Sequence, residues 1–294
     1  MPEILIISGK GGTGKTSITG ALAHLAQDKI ICDLDVDAPD LHLLLAPQAV
    51  QVHDFYSGNE AIIDPELCTS CGLCQEKCRF EAIIEDGEAY RVDPLKCEGC
   101  KLCVSLCPAE AIAFPQRYCG TWQVSDTRMG PMVHAQLFPG QENSGRLVAL
   151  LRQHARELAQ ERGYELILSD GPPGIGCPVI SSMSGTDLAV VVTEPTPSGR
   201  HDLERVLELC RHFKVPAGVI INKCDINAEQ SRALADYCAR EGLELFAELP
   251  FDPAMVQAMV QGQVITEYQK DGLAGELALA WEKIMQTAER KKAA

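Results

Sequence analysis

The stretch Gly9-Lys10-Gly11-Gly12-Thr13-Gly14-Lys15-Thr16 decides how this 294-residue chain folds. Its spacing is G-x-x-x-x-G-K-[ST], and its flanks are those the motif needs. Ahead of it, Glu3-Ile4-Leu5-Ile6-Ile7 is a continuously apolar run, as in a strand buried on both faces of a parallel sheet. Behind it, residues 17–27 set Ile18, Leu22 and Leu25 at helical spacing. Glycines in such a loop let backbone N–H groups close around phosphate oxygens, and the helix start adds partial positive charge. Lys15 is expected to meet the β- and γ-phosphates and the Thr16 hydroxyl to ligate Mg²⁺. Gly11, Gly12, Thr13, Gly14 and Ser17 complete the cradle.

Lys29-Ile30-Ile31-Cys32-Asp33 reads as a second strand. From Tyr164 onward, strand-like runs at 166–169, 188–192, 217–221 and 243–246 alternate with helical stretches at 178–184, 202–214 and 229–241. A last helix, 277–288, stripes Leu277, Trp281, Ile284 and Ala288 along one face. This alternation predicts an α/β fold, a mostly parallel sheet flanked by helices. Residues 118–138 read as strands returning to that sheet.

The middle of the chain follows another rule. Eight of the fourteen cysteines form two runs, Cys68-x2-Cys71-x2-Cys74-x3-Cys78 and Cys97-x2-Cys100-x2-Cys103-x3-Cys107-Pro108. The second run starts 29 residues after the first, and Glu81-Ala82-Ile83 returns at the same interval as Glu110-Ala111-Ile112. A repeat of this size points to a duplicated unit. The spacing is that of bacterial ferredoxins, in which three thiolates converge from one short loop and the fourth comes from the other run. Cys68, Cys71, Cys74 and Cys107 are thus expected to hold one [4Fe–4S] cluster, and Cys97, Cys100, Cys103 and Cys78 a second. Zinc is the alternative for paired CxxC ligands, but two fourfold ferredoxin runs favour clusters. Arg79 follows Cys78 where Pro108 follows Cys107, and a cation there could raise a cluster's potential. The expected organisation is a discontinuous P-loop domain, 1–58 and 117–294, carrying a small α+β ferredoxin-like insert at 59–116. With eight ligands present, neither cluster offers an open iron, so electron transfer or a structural role is expected of the insert.

Composition narrows the partners. A formal charge of −15 repels phosphate backbones and argues against a nucleic-acid partner. No apolar run reaches the ~18 residues that span a bilayer, and the N-terminus has no signal-peptide pattern. Cysteines read as metal ligands belong in a reducing compartment, so the expected location is cytoplasmic.

Lys10 adds a resemblance. Lys-Gly-Gly-Thr-Gly-Lys-Thr resembles the deviant Walker A box of the MinD/Mrp/ParA and nitrogenase iron-protein class of ATPases. Cys32-Asp33-Leu34-Asp35-Val36-Asp37-Ala38-Pro39 resembles their switch I, and Ser169-Asp170-Gly171-Pro172-Pro173-Gly174 their Walker B and switch II. Thr193-Glu194-Pro195-Thr196 and Glu142-Asn143-Ser144-Gly145 fit the same class. The resemblance implies a dimer, of identical chains or with a paralogue, that sandwiches ATP and Mg²⁺. In it, Lys10 reaches the partner's phosphates, Asp35 organises the attacking water and Mg²⁺, and Asp170, at the end of its strand beside Thr16, holds Mg²⁺. It also implies a Mg²⁺-dependent ATPase that is slow until a partner stimulates it.

Asn222-Lys223-Cys224-Asp225 matches N-K-x-D, which reads guanine in many GTPases, whereas an asparagine there contacts adenine in the resembled class. The motif leaves ATP and GTP open; Lys10 and the switches favour ATP, with Asn222 and Asp225 as base-site candidates. Cys177, seven residues after Asp170, has the offset of a cluster ligand in the nitrogenase iron protein, with Cys119 as a conceivable co-ligand. A reduced packing thiol is the simpler reading.

Three functions are consistent with this chain. In the first, an ATP-driven dimer switch gates electron delivery from the two clusters to another protein. The second is a scaffold or carrier ATPase that hands an iron–sulfur or metal cofactor to an acceptor. The third is a MinD-like positioning protein, disfavoured because residues 286–294 carry no bulky apolar face for stable membrane binding.

Overall fold

The structure, a computed structural model, describes residues 1–141 and 143–293, the last three through their backbone alone. Glu142 of the expected helix start, and the side chains of the tail from Lys291 on, lie outside the described residues. The chain begins β1 (Glu3–Ser8), α1 (Lys15–Leu25), β2 (Lys29–Asp33), α2 (Leu41–Leu45) and β3 (Gln48–Asn59). It continues β4 (Ile62–Ile63), α3 (Leu73–Lys77), β5 (Ile83–Asp86), β6 (Ala89–Val92), α4 (Leu102–Leu106), β7 (Ile112–Ala113), β8 (Gln116–Thr127) and β9 (Gly130–Leu137). The remainder is α5 (Ser144–Arg162), β10 (Leu166–Pro173), α6 (Cys177–Met183), β11 (Leu188–Thr193), α7 (Pro197–His212), β12 (Ala217–Asn222), α8 (Ala228–Arg240), β13 (Glu244–Leu249), α9 (Ala254–Val260), α10 (Ile265–Tyr268) and α11 (Leu273–Ala293). No described helix is long and apolar enough to cross a membrane.

The chain divides into two units, one of Met1–His53, Trp122–Gln136 and Ser144–Ala294, the other of Asp54–Thr121 and Leu137–Asn143. The main sheet has the order β13-β12-β11-β1-β10-β2-β9-β8-β3. From β13 to β9 every neighbouring pair is parallel. All six residues of β1 and of β11 are buried, which is why both read as unbroken apolar runs rather than alternating ones. One layer of the core packs Ile18 and Leu22 of α1 and Leu277 and Ile284 of α11 against Ile4, Ile6 and Leu168. Gly218 of β12 is glycine for a packing reason: the Phe246 ring of β13 lies where its Cβ would be.

A buried ion pair ties the opening strand to two helices. Arg152 of α5 donates Nε to Glu3 Oε1 at 2.7 Å and Nη1 to the carbonyls of Ser181 and Ser184 at 2.8 and 2.6 Å. Arg156 reaches the other Glu3 oxygen at 2.6 Å.

The second unit repeats itself with the 29-residue interval seen in the sequence. Two-stranded sheets pair β4 with β7 and β5 with β6, both antiparallel. Ile62 faces Ala113 and Ile63 faces Ile112; one repeat on, Arg91 faces Ile84 and Val92 faces Ile83. Backbone bonds repeat as well, with Cys68 N on Asp64 O and Cys97 N on Asp93 O. Each half lends strands to the other, so the halves are interlocked. The one-turn helices α3 and α4 were not legible in the sequence, being five residues each with no apolar period to read.

Candidate functional site

Gly14 enters α1 with φ +88°, in the left-handed region that glycine tolerates. The turn delivers Lys15 into a nest of acids. Its Nζ lies 2.9 Å from Asp170 Oδ2 and 3.7 Å from Asp35 Oδ2, with only 6% of the side chain exposed. Thr16 Oγ1 donates to Asp170 Oδ2 at 2.8 Å and Thr19 Oγ1 to Asp170 Oδ1 at 2.7 Å. Asp170 does not stand at the end of its strand, as the sequence reading had it. β10 runs on to Pro173, which pairs with Ser8 of β1, whereas its pairing with β2 ends at Asp170.

Charge is out of balance here. Burial works against the Lys15 ammonium, but Asp170, Asp35 and Asp33 outweigh it and hold its pKa above the usual lysine value. Burial, then the Asp170 charge, push Asp33 well up. Burial raises Asp35 to about 6 against the pull of Lys15. Asp33 Oδ2 and Thr13 Oγ1 are buried without a hydrogen-bond partner. The three carboxylates do not converge on one point, but their excess charge and the orphaned Asp33 oxygen have the hard-oxygen chemistry that a divalent cation such as Mg²⁺ takes.

Lys10 is held within its own chain. Its Nζ pairs with Glu194 Oε1 at 2.6 Å and donates to Ser198 Oγ at 3.1 Å and Thr196 Oγ1 at 3.3 Å. Thr196 also caps α7, accepting from Gly199 N. The other Glu194 oxygen meets Lys223 Nζ at 3.2 Å, and Lys223 in turn donates to Gly12 O at 3.0 Å.

The two base-site candidates part company. Asn222 ends β12, donates Nδ2 to Thr13 O at 2.8 Å, and occupies the place of a Gly14 Cβ. It lines a cavity with an open volume of about 540 Å³, together with Ser17, Phe251, Met255, Val256 and Met259. Asp225 does not line that cavity; its Oδ1 accepts from Phe251 N at 2.7 Å and so fixes the loop bearing Phe251.

In the second unit the eight expected ligands surround two cavities of nearly equal open volume, about 340 and 320 Å³. Cys68, Cys71, Cys74 and Cys107 line the first; Cys78, Cys97, Cys100 and Cys103 line the second. Cys107 and Cys78 have thus crossed to the other run's trio, as the interlocked halves require. Ala111 N donates to Cys107 Sγ at 3.3 Å and Ala82 N to Cys78 Sγ at 3.4 Å. Among the described residues no group of three or more His, Cys, Asp or Glu side chains is arranged to hold a single metal ion. Arg79 does not line the Cys78 cavity; Lys101 does. Of the other cysteines, Cys32, Cys119, Cys210 and Cys238 are buried and Cys177 is exposed. Cys119 donates its thiol to Ser57 O at 3.2 Å.

The family described as the CobQ/CobB/MinD/ParA nucleotide binding domain matches residues 4–265. The chain belongs to that family. An uncharacterized protein of Methanocaldococcus jannaschii is 35% identical over 229 residues, covering 76% of this chain and 79% of that one. A cytosolic Fe-S cluster assembly factor Nubp1 homolog of Drosophila ananassae is 24% identical over 293 residues, covering 90% and 76%. Among solved structures, the septum site-determining protein MinD complexed with Mg-ADP from Pyrococcus horikoshii superposes with a TM-score of 0.57 at 18% identity, covering 99% and 98%. That likeness is one of fold. Within this CobQ/CobB/MinD/ParA domain, Glu194 and Lys223 stand in the sequence only as parts of motifs, and Thr19, Phe251, Met255 and Met259 belong to none. Glu194 and Lys223 could have been suspected from their strand-end positions. The Phe251 loop carries no local signal, since only tertiary packing brings it to Gly14.

Proposed function

We propose that this protein is a Mg²⁺-dependent ATPase that works as a nucleotide-sandwiching dimer, with an inserted module at 59–116 carrying two [4Fe–4S] clusters. In this reading the nucleotide switch gates electron delivery from the module to a partner protein. The observation that carries it is the sorting of eight cysteines around two cavities, four to each, in a chain whose phosphate loop aims Lys15 and Thr16 at Asp170. Thr16 and Asp170 would hold Mg²⁺, which neutralises phosphate charge when bound. Lys15 would bind the phosphates, and Asp35 would orient the attacking water. Lys10 would leave Glu194 for the phosphates of the partner chain. Asn222 and the Phe251–Met259 cavity would take adenine. Asp225 bonds Phe251 N and does not line that cavity, which supports ATP over GTP. The eight cysteines would hold the clusters, which supply one-electron carriage.

A second reading, delivery of an iron–sulfur cofactor to an acceptor, is favoured by the similarity to the Fe-S cluster assembly factor. Anaerobically purified protein separates the two. Gated electron transfer predicts an ATPase rate that depends on cluster oxidation state, with iron retained. Loss of iron to an apo-protein acceptor on ATP addition supports the assembly reading instead. Protein with neither iron nor nucleotide-stimulated turnover would sink both.

A further inference from the structure

The two cysteine cavities have the same fold around them but not the same charge. Superimposing one half on the other by 29 residues places Gly72 on Lys101 and Thr69 on Glu98. Gly72 and Thr69 line the first cavity, Lys101 and Glu98 the second. Gly72 has φ +75° and Lys101 φ +66°, so the second half keeps a lysine in a left-handed conformation for which the first half uses glycine. Lys101 Nζ sits 5.7 Å from the centre of the Phe114 ring, which lines the same cavity. Arg117, largely buried, donates Nη2 to the carbonyl of Cys97 at 2.7 Å, while its Nε faces Glu60 at 3.4 Å on its other edge. The first cavity has no Asp, Glu, Lys or Arg in its lining; its polar side chains besides the cysteines are those of Thr69, Ser70 and Tyr90. The amide bonds to sulfur are matched, one on Cys107 and one on Cys78, so they do not distinguish the halves. Glu98 opposes Lys101 and both reach water, but the Lys101 ammonium lies by the ring of Phe114, a lining residue, and Arg117, with 15% of its side chain exposed, bonds Cys97 itself.

We propose that Lys101 and Arg117 make the cavity of Cys78, Cys97, Cys100 and Cys103 the more electropositive of the two, so that a cluster there takes the first electron. Positive charge near a cluster favours its reduced form, which carries one more negative charge. In partly reduced protein the electron resides there, and the cluster of Cys68, Cys71, Cys74 and Cys107 is reduced second, each by one electron from a low-potential donor. This inference rests on the two-cluster reading above.

The test is an EPR-monitored potentiometric titration of the full chain with dithionite as reductant, after iron quantitation. Two one-electron midpoints are expected. Lys101→Gly, which suits the φ of that position, lowers only the upper midpoint, as does Arg117→Gln. The expected change is about three- to tenfold in the oxidised-to-reduced ratio at fixed potential, or about 30–59 mV for one electron. Gly72→Lys raises only the lower midpoint, and Glu98→Thr raises only the upper. If Lys101→Gly moves the lower midpoint, or moves neither, the assignment is overturned while the cluster reading stands. Iron far below about eight atoms per chain, without a cluster spectrum, removes both.

Discussion

Lys10 and Asp35 answer to different tests because one is half in water and the other is not. The Lys10–Glu194 pair is partly exposed, and pairs of that kind contribute less than about 1 kcal/mol. Lys10→Ala is therefore expected to leave the melting temperature nearly unchanged while removing ATP turnover, read by phosphate release. Asp35 titrates near 6 in the folded protein against 3.8 as a free side chain. Between those values the folded state binds more protons, so this group's contribution to stability is full below about pH 4 and is lost as pH rises to about 6. Asp35→Asn should flatten that slope in nucleotide-free melts between pH 4 and 7, and still abolish hydrolysis. A steeper slope in the variant would count against the acid nest. Of this nest, Lys15 and Thr16 were legible from motif spacing, and Asp35 and Asp170 from the resemblance of their segments to switch I and Walker B. Thr19 was not, because a threonine inside a helix looks like any other until β10 is set beside it.

At the scale of elements, β1 is fixed at its first residue by an arginine from a helix 149 positions away. Arg152→Ala leaves Glu3 with Arg156 alone and strips donors from the carbonyls of Ser181 and Ser184. A loss of about 3–5 kcal/mol is expected, as when one partner of a buried pair is removed, and urea unfolding followed by circular dichroism measures it. Arg156→Ala, at the exposed edge of the pair, should cost far less. The parallel strands were readable because double-sided burial writes itself as apolar runs. β3 was missed because ten of its twelve residues are exposed or half exposed and no alternation marks it. Helix α7 starts at Pro197, five residues before the periodic stretch at 202–214, since a Thr196 cap and a proline open it without any apolar signal.

For the whole molecule, the proposed dimer makes ATP a cross-link. Light scattering should show the mass doubling with a non-hydrolysable ATP analogue and Mg²⁺, and Lys10→Ala should prevent it. Wild-type protein that stays monomeric at every nucleotide state rules out the sandwich. The duplicated unit bears on how such a protein is made. Under the two-cluster proposal neither half owns a complete set of ligands, since Cys78 and Cys107 each line the opposite cavity. Occupying one cavity joins both halves, which pre-positions the four thiols of the other. Iron should then enter by positive cooperativity. During stepwise reconstitution, native mass spectra are expected to show empty and eight-iron chains with little between them, so the population divides into molecules that can carry electrons and molecules that cannot.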